Sequence, residues 1–103
     1  MLVAFSVAPS AGDPSVGDAV AEAVRIVRES GLPNETTSMF TTIEGEWDEV
    51  MDVVKRATEA VAAVSPRTAL VLKADIRPGY TDMLRTKVRR VEDALSAKGA
   101  TDE

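Results

Sequence analysis

The apolar residues of this chain repeat with two different periods, and the two periods alternate along the sequence. Residues 2–8 form an apolar, β-prone run closed by Pro9, which predicts a buried first strand. Residues 13–15 then offer an Asp or Ser N-cap with a proline in the first turn of a helix. The helical period follows at Val16, Val20, Val24 and Val27. Gly31 and Pro33 end this helix, so the chain begins with a β-α unit.

The middle of the chain repeats this change of period. Residues 35–45 are rich in β-branched side chains, which favours two short strands or a bent hairpin. A second helix is predicted after Gly45, because the acidic residues that follow suit the positive end of a helix dipole, and Pro66 stops it. Its predicted apolar stripe consists of Trp47, Val50, Met51, Val54 and Val61.

The last third of the chain predicts one strand and one helix. Residues 67–77 alternate between an apolar and a mixed face, as a strand does. The apolar face carries Leu70, Leu72, Ala74 and Ile76. After a turn at Pro78 and Gly79, a third amphipathic helix is defined by Leu84, Val88, Val91 and Leu95.

The element order β-α-β-β-α-β-α predicts the fold class. Its first six elements match the ferredoxin-like plan, an α+β fold in which two helices cover one face of an antiparallel four-stranded sheet. The third helix is an addition, which we expect to cap the sheet edge or to contribute to an oligomer interface. The 103 residues fit a single domain, predicted over residues 1–97, with residues 98–103 as a frayed tail.

Composition excludes several classes of function. A net charge of −5 and only two Phe, one Trp and one Tyr argue against nucleic-acid binding, which needs clustered cations and stacking platforms. Cysteine and histidine are both absent, which excludes disulfides, Cys/His zinc sites and imidazole acid–base catalysis. No apolar run is long enough to cross a bilayer, and no basic leader region is present. We therefore expect a soluble, cytoplasmic protein.

Alternation assigns polar side chains to the sheet face that the two helices leave uncovered, called the open face below. It is predicted to carry Leu2, Ala4, Ser6, Ala8, Thr42, Glu44, Lys73, Asp75 and Arg77. One interpretation is a solvated face with weak surface ion pairs. The other is a polar pocket where this face meets a second subunit, which the apolar residues Ala4, Ala69 and Val71 favour.

Other charged segments give weaker indications of function. The acidic run of residues 44–52 fits no EF-hand spacing and suits a helix N-terminus, so no metal site is predicted. The cations of residues 85–90 fit a solvated helix face. The loop at residues 10–12 lacks the dinucleotide and phosphate-loop fingerprints. Lys73 and Asp75 can shift each other's pKa, but no nucleophile–base set accompanies them, so no enzyme is predicted.

Several segments, taken together, resemble a known family. They are Val3–Pro9 with the loop to Ser15, Glu29–Pro33, Met39–Met51, Arg67 with Leu72–Arg77, and Lys87-Val88. In this order they are similar to the small thiamine-binding protein family with a ferredoxin-like fold, over nearly the whole chain. The Thr-x-x-Glu-Gly core with Trp-Asp-Glu-Val-Met after it carries most of the likeness.

The resemblance implies non-catalytic binding of thiamine, or of its hydroxymethylpyrimidine part, by homodimers or homotetramers assembled through their sheets. The candidate ligand-binding residues at matching positions are Ser6, Ser10, Thr41, Thr42, Glu44 and Asp75. Phe40 stands where relatives often have glycine, so it narrows the pocket or supplies an aromatic wall. Under this hypothesis Glu44 and a hydroxyl of Ser6 or Thr42 hold the pyrimidine. Asp75 or Phe40 then faces the thiazolium cation.

Two other hypotheses compete with thiamine binding. One is a structural or regulatory protein that assembles through its sheet and binds no small molecule. The other is a minor enzyme that uses Lys73 and Asp75. Apart from thiamine as a ligand, no cofactor, nucleic-acid partner or membrane partner is predicted.

Overall fold

The structure is a computed structural model that describes residues 1–10 and 16–101. Its elements are β1 (Leu2–Pro9), α1 (Val16–Glu29), β2 (Asn34–Thr36), β3 (Thr41–Glu44), α2 (Trp47–Ala62), β4 (Thr68–Asp75) and α3 (Met83–Thr101). This order confirms the α+β, ferredoxin-like prediction with a third helix added. The helix start predicted at residues 13–15 lies outside the described residues.

β1 lies inside the sheet, whose strand order is β2-β3-β1-β4 with antiparallel neighbours throughout. Val3 lies between Ile43 of β3 and Ala74 of β4, and both Val3 and Ile43 are fully buried. Because side chains alternate along a strand, this row and every second row after it face the helices. Alternate residues of the first apolar run therefore face the helices and form part of the core.

α1 and α2 cover this face of the sheet and pack against each other. α1 contributes small side chains at Ala19 and Ala23, and α2 buries Val50, Val53, Val54, Ala57 and Val61. Trp47, predicted on the apolar stripe of α2, is instead 55% exposed. That part of the prediction is wrong, because Trp47 is the first helical residue and the burial of α2 begins one turn later, at Val50.

β2 and β3 form a hairpin, which confirms the prediction of two short strands. Thr36 pairs with Thr41, and residues 37–40 make the turn between them. The N–H of Thr37 donates to the carbonyl oxygen of Phe40 at 2.9 Å, and the Thr37 hydroxyl donates to the same oxygen at 3.0 Å. The Phe40 N–H donates in return to Thr37 Oγ1 at 3.3 Å. These bonds fix the direction in which Phe40 leaves the turn.

α3 begins on the open face, where its first N–H groups contact Glu44. Asp82, just before it, has a φ of 56°, a left-handed conformation that turns the chain back over the sheet. The first turns of α3 then contact Glu44 and Asp75. The open face, which α1 and α2 leave uncovered, is therefore covered at one end by α3.

The remainder of α3 projects from the body of the molecule. Val88, Val91 and Leu95 of its apolar stripe are all more than half exposed. The molecule is accordingly elongated, with extents of 55 × 30 × 20 Å. The helix continues to Thr101, into the segment expected to fray, and the fraying itself stays a prediction.

Candidate functional site

The strand register places four of the seven candidate ligand residues on the open face. They are Ser6, Thr42, Glu44 and Asp75. Leu2 of β1 separates Glu44 from Asp75 in one row across the sheet, and Thr42 faces Ala4 in the next row. This register confirms the face assignment made from alternation.

The carboxylate of Glu44 holds the start of α3. The residue is only 6% exposed. Its Oε2 accepts a hydrogen bond from the Met83 N–H at 2.8 Å, and its Oε1 accepts one from the Leu84 N–H at 3.1 Å. The first N–H groups of a helix lack partners within the helix, and the helix dipole favours an acid there. Both carboxylate oxygens thus have structural partners, and the contact of Glu44 with a ligand stays a prediction.

Asp75 forms an ion pair with the next turn of α3. Lys87 Nζ donates to Asp75 Oδ2 at 2.7 Å. This hydrogen bond, helped by the charges of Lys87, Arg77 and Lys73, holds the pKa of Asp75 below its ordinary value. The Lys73–Asp75 pair considered for catalysis makes no direct ion pair among the described contacts. Asp75 instead fastens α3 to β4.

A cavity of about 210 Å³ lies on the other side of the sheet, between α1 and the β2–β3 hairpin. Its lining comprises Phe5, Ser6 and Val7 of β1, Val20, Ala23, Val24 and Val27 of α1, and Thr36–Thr41 of the hairpin. None of these residues carries a charge. The cavity is smaller than the roughly 300–1,000 Å³ typical of sites for drug-sized ligands. An apolar floor of this size, rimmed by hydroxyl and backbone groups, suits one small neutral ring.

Three of the candidate ligand residues meet at this cavity. Thr41 faces it from the helix side of β3, opposite Phe5. Phe40 is 38% exposed and lines the cavity as well. Ser6 borders it, although the register gives the Ser6 side chain to the open face. The candidates are divided between two faces because neighbours in a strand, such as Thr41 and Thr42, point to opposite sides.

Ser10 lies apart from both groups, at the far end of β1. Its N–H donates to the carbonyl oxygen of Arg67 at 2.8 Å and to the Ser65 hydroxyl oxygen at 3.1 Å. The Ser10 and Ser65 hydroxyl oxygens are 3.1 Å apart, and the Ser65 hydroxyl also donates to the Arg67 carbonyl at 2.6 Å. This network ties β1 to the start of β4. A ligand role for Ser10 stays a prediction.

The mouth of the cavity contains residues that were absent from the sequence-based set. Met39 is 73% exposed and Val20 is 37% exposed, and both line the cavity. A sequence signal for this mouth exists, because the turn between the two short strands contains the apolar pair Met39-Phe40 where polar residues are usual.

The acidic run of residues 44–52 has structural partners. Besides Glu44, the Glu49 carboxylate accepts a hydrogen bond from the Glu46 N–H at 3.2 Å at the start of α2. Within residues 1–10 and 16–101, no group of three or more acidic side chains is arranged to hold a metal ion. In the same part of the chain, no helix combines the length and the apolar character needed to cross a membrane.

Comparison with known proteins gives consistent matches over most of the chain. A family model described as "Thiamine-binding protein" matches residues 3–92. A UPF0045 protein of Mycobacterium bovis is 58% identical over 96 residues, which cover 92% of this chain and 94% of that protein. A domain of unknown function from Bacillus cereus has a TM-score of 0.72 at 34% identity, covering 82% and 84% of the two chains. A Thermotoga maritima protein, provisionally assigned to thiamine biosynthesis or salvage, has a TM-score of 0.71 at 26% identity, covering 85% and 96%.

Proposed function

Because the chain belongs to the thiamine-binding protein family, we propose that it is a non-catalytic module that binds thiamine or its hydroxymethylpyrimidine part. The provisional assignment of the Thermotoga protein to thiamine metabolism supports the same ligand class. The proposed site is the cavity between α1 and the β2–β3 hairpin, rather than the open face.

The uncharged cavity lined by Phe40 and Thr41 carries this proposal. An aminopyrimidine ring presents an amino donor and ring-nitrogen acceptors, which hydroxyl and backbone groups of the hairpin can satisfy. The apolar side chains of the lining, such as Val24 and Val27, can cover the faces of this ring. A cavity of about 210 Å³ is too small for a whole drug-sized ligand, so the proposal places one ring inside it and the remainder of thiamine at the mouth.

The thiazolium cation is proposed to lie against the aromatic face of Phe40 at this mouth. A fixed cation over a phenyl ring gains roughly 0.5–2 kcal/mol, depending on how far it is removed from water. Asp75, the other candidate partner for the cation, is held by Lys87 and lies on the opposite face of the sheet. The structure therefore favours Phe40 for this role.

The proposal includes a cytoplasmic homodimer or homotetramer. Exposed apolar side chains on β4 and α3 support self-association, because a monomer rarely leaves so many uncovered. They include Val71, Val88, Val91 and Leu95. The competing function, an assembly protein without a small ligand, also predicts self-association through these side chains. It differs from the proposal only in assigning no ligand to the cavity.

Isothermal titration with thiamine and hydroxymethylpyrimidine tests the proposed site through two neighbouring residues. We expect Thr41→Val to weaken binding about five-fold or more, because it removes a hydroxyl at the cavity while keeping the shape of the side chain. Thr42→Val is the matched control, since Thr42 lies on the other face of the same strand, and its affinity should stay within about two-fold. The reverse pattern would place the site on the open face. No binding by the wild-type protein would favour the assembly protein instead.

A second pair of variants tests the aromatic wall. We expect Phe40→Ala to lower thiamine affinity about ten-fold, through the lost cation–π contact. Trp47→Ala, an exposed aromatic residue on α2 outside the cavity lining, should leave the affinity unchanged. Equal affinities for the two variants would contradict the proposed role of Phe40.

A further inference from the structure

Met39 differs from the other three methionines of the chain in its exposure. All four lie in the part of the chain that the structure describes, and Met39 alone is exposed, at 73%. Met83 is 3% exposed at the start of α3, and Met1 and Met51 are half-buried. The chain has no cysteine, so the thioethers are its only sulfur groups. Because oxidation of a thioether depends on its accessibility, an oxidant in solution reaches Met39 first.

The position of Met39 connects this chemistry to the proposed site. Met39 belongs to the turn at residues 37–40 and lines the cavity mouth together with Val20 and Phe40. Hydrogen bonds between Thr37 and Phe40 close the turn and hold its backbone in place. A thioether is apolar and polarisable, which suits contact with a ring that enters an uncharged cavity.

A hydroperoxide converts this side chain into a polar one. A lone pair of the sulfur attacks one peroxide oxygen, and the O–O bond breaks as the S–O bond forms. With hydrogen peroxide, the other oxygen leaves as water, so the sulfur is oxidised and the peroxide is reduced by the same electron pair. The product is methionine sulfoxide, a polar group that sulfoxide reductases return to the thioether.

The change in polarity determines the direction of the effect on binding. Contact between the ligand and the sulfoxide requires the removal of water from a strong dipole, which costs free energy that the thioether does not cost. The sulfoxide oxygen also attracts a cation such as thiazolium. Met39 is so exposed that this attraction acts through water, where it is weak. Oxidation therefore weakens binding at the mouth.

From these observations we propose that Met39 is an oxidation site at which a hydroperoxide reversibly lowers the affinity of the chain for its ligand. The inference rests on the proposed function, because the affected contact lies at the mouth of the proposed cavity. It defines the modified atom as the Met39 sulfur and the modifying compound as a hydroperoxide.

Limited oxidation with hydrogen peroxide, followed by peptide mass spectrometry, tests the modification site itself. We expect an oxygen atom to be added to Met39 before it is added to Met1, Met51 or Met83. Earlier oxidation of any of the other three would overturn the site. This measurement uses no ligand, so its result does not depend on the proposed function.

Isothermal titration of the same protein before and after oxidation tests the effect on binding. We expect the dissociation constant for thiamine to rise at least about three-fold, and to return to its starting value after treatment with the reductases for both sulfoxide epimers. Hydroxymethylpyrimidine, which has no thiazolium cation, should change in the same direction. An untreated protein that binds neither ligand would overturn the proposed function together with this effect. An untreated protein that binds, with the same affinity after oxidation, would overturn the effect of Met39 alone.

Two leucine variants assign the effect to one sulfur atom. Leucine has nearly the apolar volume of methionine and no sulfur. The quantity compared is the ratio of the dissociation constants after and before peroxide treatment, so any change in the starting affinity cancels. We expect this ratio to be about one in Met39→Leu and at least about three in Met51→Leu, since Met51 lies on α2 outside the cavity lining. Equal ratios in the two variants would overturn the assignment.

A further variant introduces polarity at the mouth without an oxidant. Met39→Gln places a polar side chain of similar length there, so we expect it to bind thiamine at least about three-fold more weakly than Met39→Leu. Equal affinities of these two variants would show that the polarity of this position does not affect binding, and would overturn the proposed cause.

Discussion

Glu44 connects β3 to the start of α3 through one carboxylate. It lies on β3, it is buried, and its two oxygens hold the first N–H groups of α3. Its neighbour along the sheet row, Asp75, binds the next turn of that helix through Lys87. These polar residues of the open face therefore hold α3 in place. They lie on the opposite face of the sheet from the cavity.

Removing the Glu44 carboxylate should lower stability rather than affinity. We expect Glu44→Ala to reduce the free energy of unfolding by about 1–3 kcal/mol, because two helix N–H groups lose a buried, charged acceptor. Glu35→Ala, an exposed acid on β2, should change it by less than about 0.5 kcal/mol. Urea titration measures both changes, and amide exchange at Met83 and Leu84 should accelerate in the first variant alone. Unchanged exchange at these amides would contradict the capping role.

The Asp75–Lys87 ion pair should make stability depend on pH in one direction. The pKa of Asp75 in the folded protein lies below its ordinary value near 3.8, so the pair stabilises the fold above that pH and is lost as the pH falls through the lower folded value. We expect the difference in unfolding free energy between the wild type and Lys87→Met to be constant between about pH 7 and 5 and to shrink below about pH 4. Urea titrations across this range check it. A difference that grew on acidification would contradict the assignment.

Among the elements, the β2–β3 hairpin matters most for the proposed site. Its two strands are short, and its turn is closed by hydrogen bonds between Thr37 and Phe40. The turn presents Met39 and Phe40 at the cavity mouth, beside Val20 of α1. The Thr37 hydroxyl therefore helps to hold Phe40 in place, together with the backbone hydrogen bond of the turn.

Removing the Thr37 hydroxyl should lower the stability of the protein slightly and its thiamine affinity more strongly. We expect Thr37→Val to cost about 0.5–1.5 kcal/mol of stability, the usual net value of a hydrogen bond, and to lower thiamine affinity because Phe40 is held by fewer hydrogen bonds. Ser38→Ala, in the same turn, makes neither of these bonds and serves as the control. Thermal unfolding and titration calorimetry measure the two effects. Unchanged affinity in Thr37→Val would show that the turn does not position Phe40.

Periodicity predicted the elements and the faces of the strands, because alternation is a local property of extended chain. It placed Thr42 and Glu44 together, and the register confirms this. Periodicity could not predict the direction of α3, which depends on the left-handed Asp82 and on a cap supplied from β3. Nor could it predict the cavity, since that space depends on how α1 lies against the hairpin.

In the whole molecule, the two faces of the sheet have different roles. The helix side contains the core and an uncharged cavity, whereas the open side carries the attachment of α3. The projecting α3 and the bare edge of β4 leave apolar surface that a single chain does not cover. The proposed account is a ligand-binding unit that is complete within one chain and an assembly that forms elsewhere on its surface.

Native mass spectrometry with thiamine tests the central claim most directly, because one spectrum gives both the subunit number and the number of bound ligands. The account predicts an even-numbered oligomer that gains one thiamine per chain, with the gain strongly reduced in Phe40→Ala and kept in Trp47→Ala. An oligomer that gains no thiamine at concentrations saturating for a micromolar site would contradict it. So would one ligand for each pair of chains, since the cavity lies within a single chain.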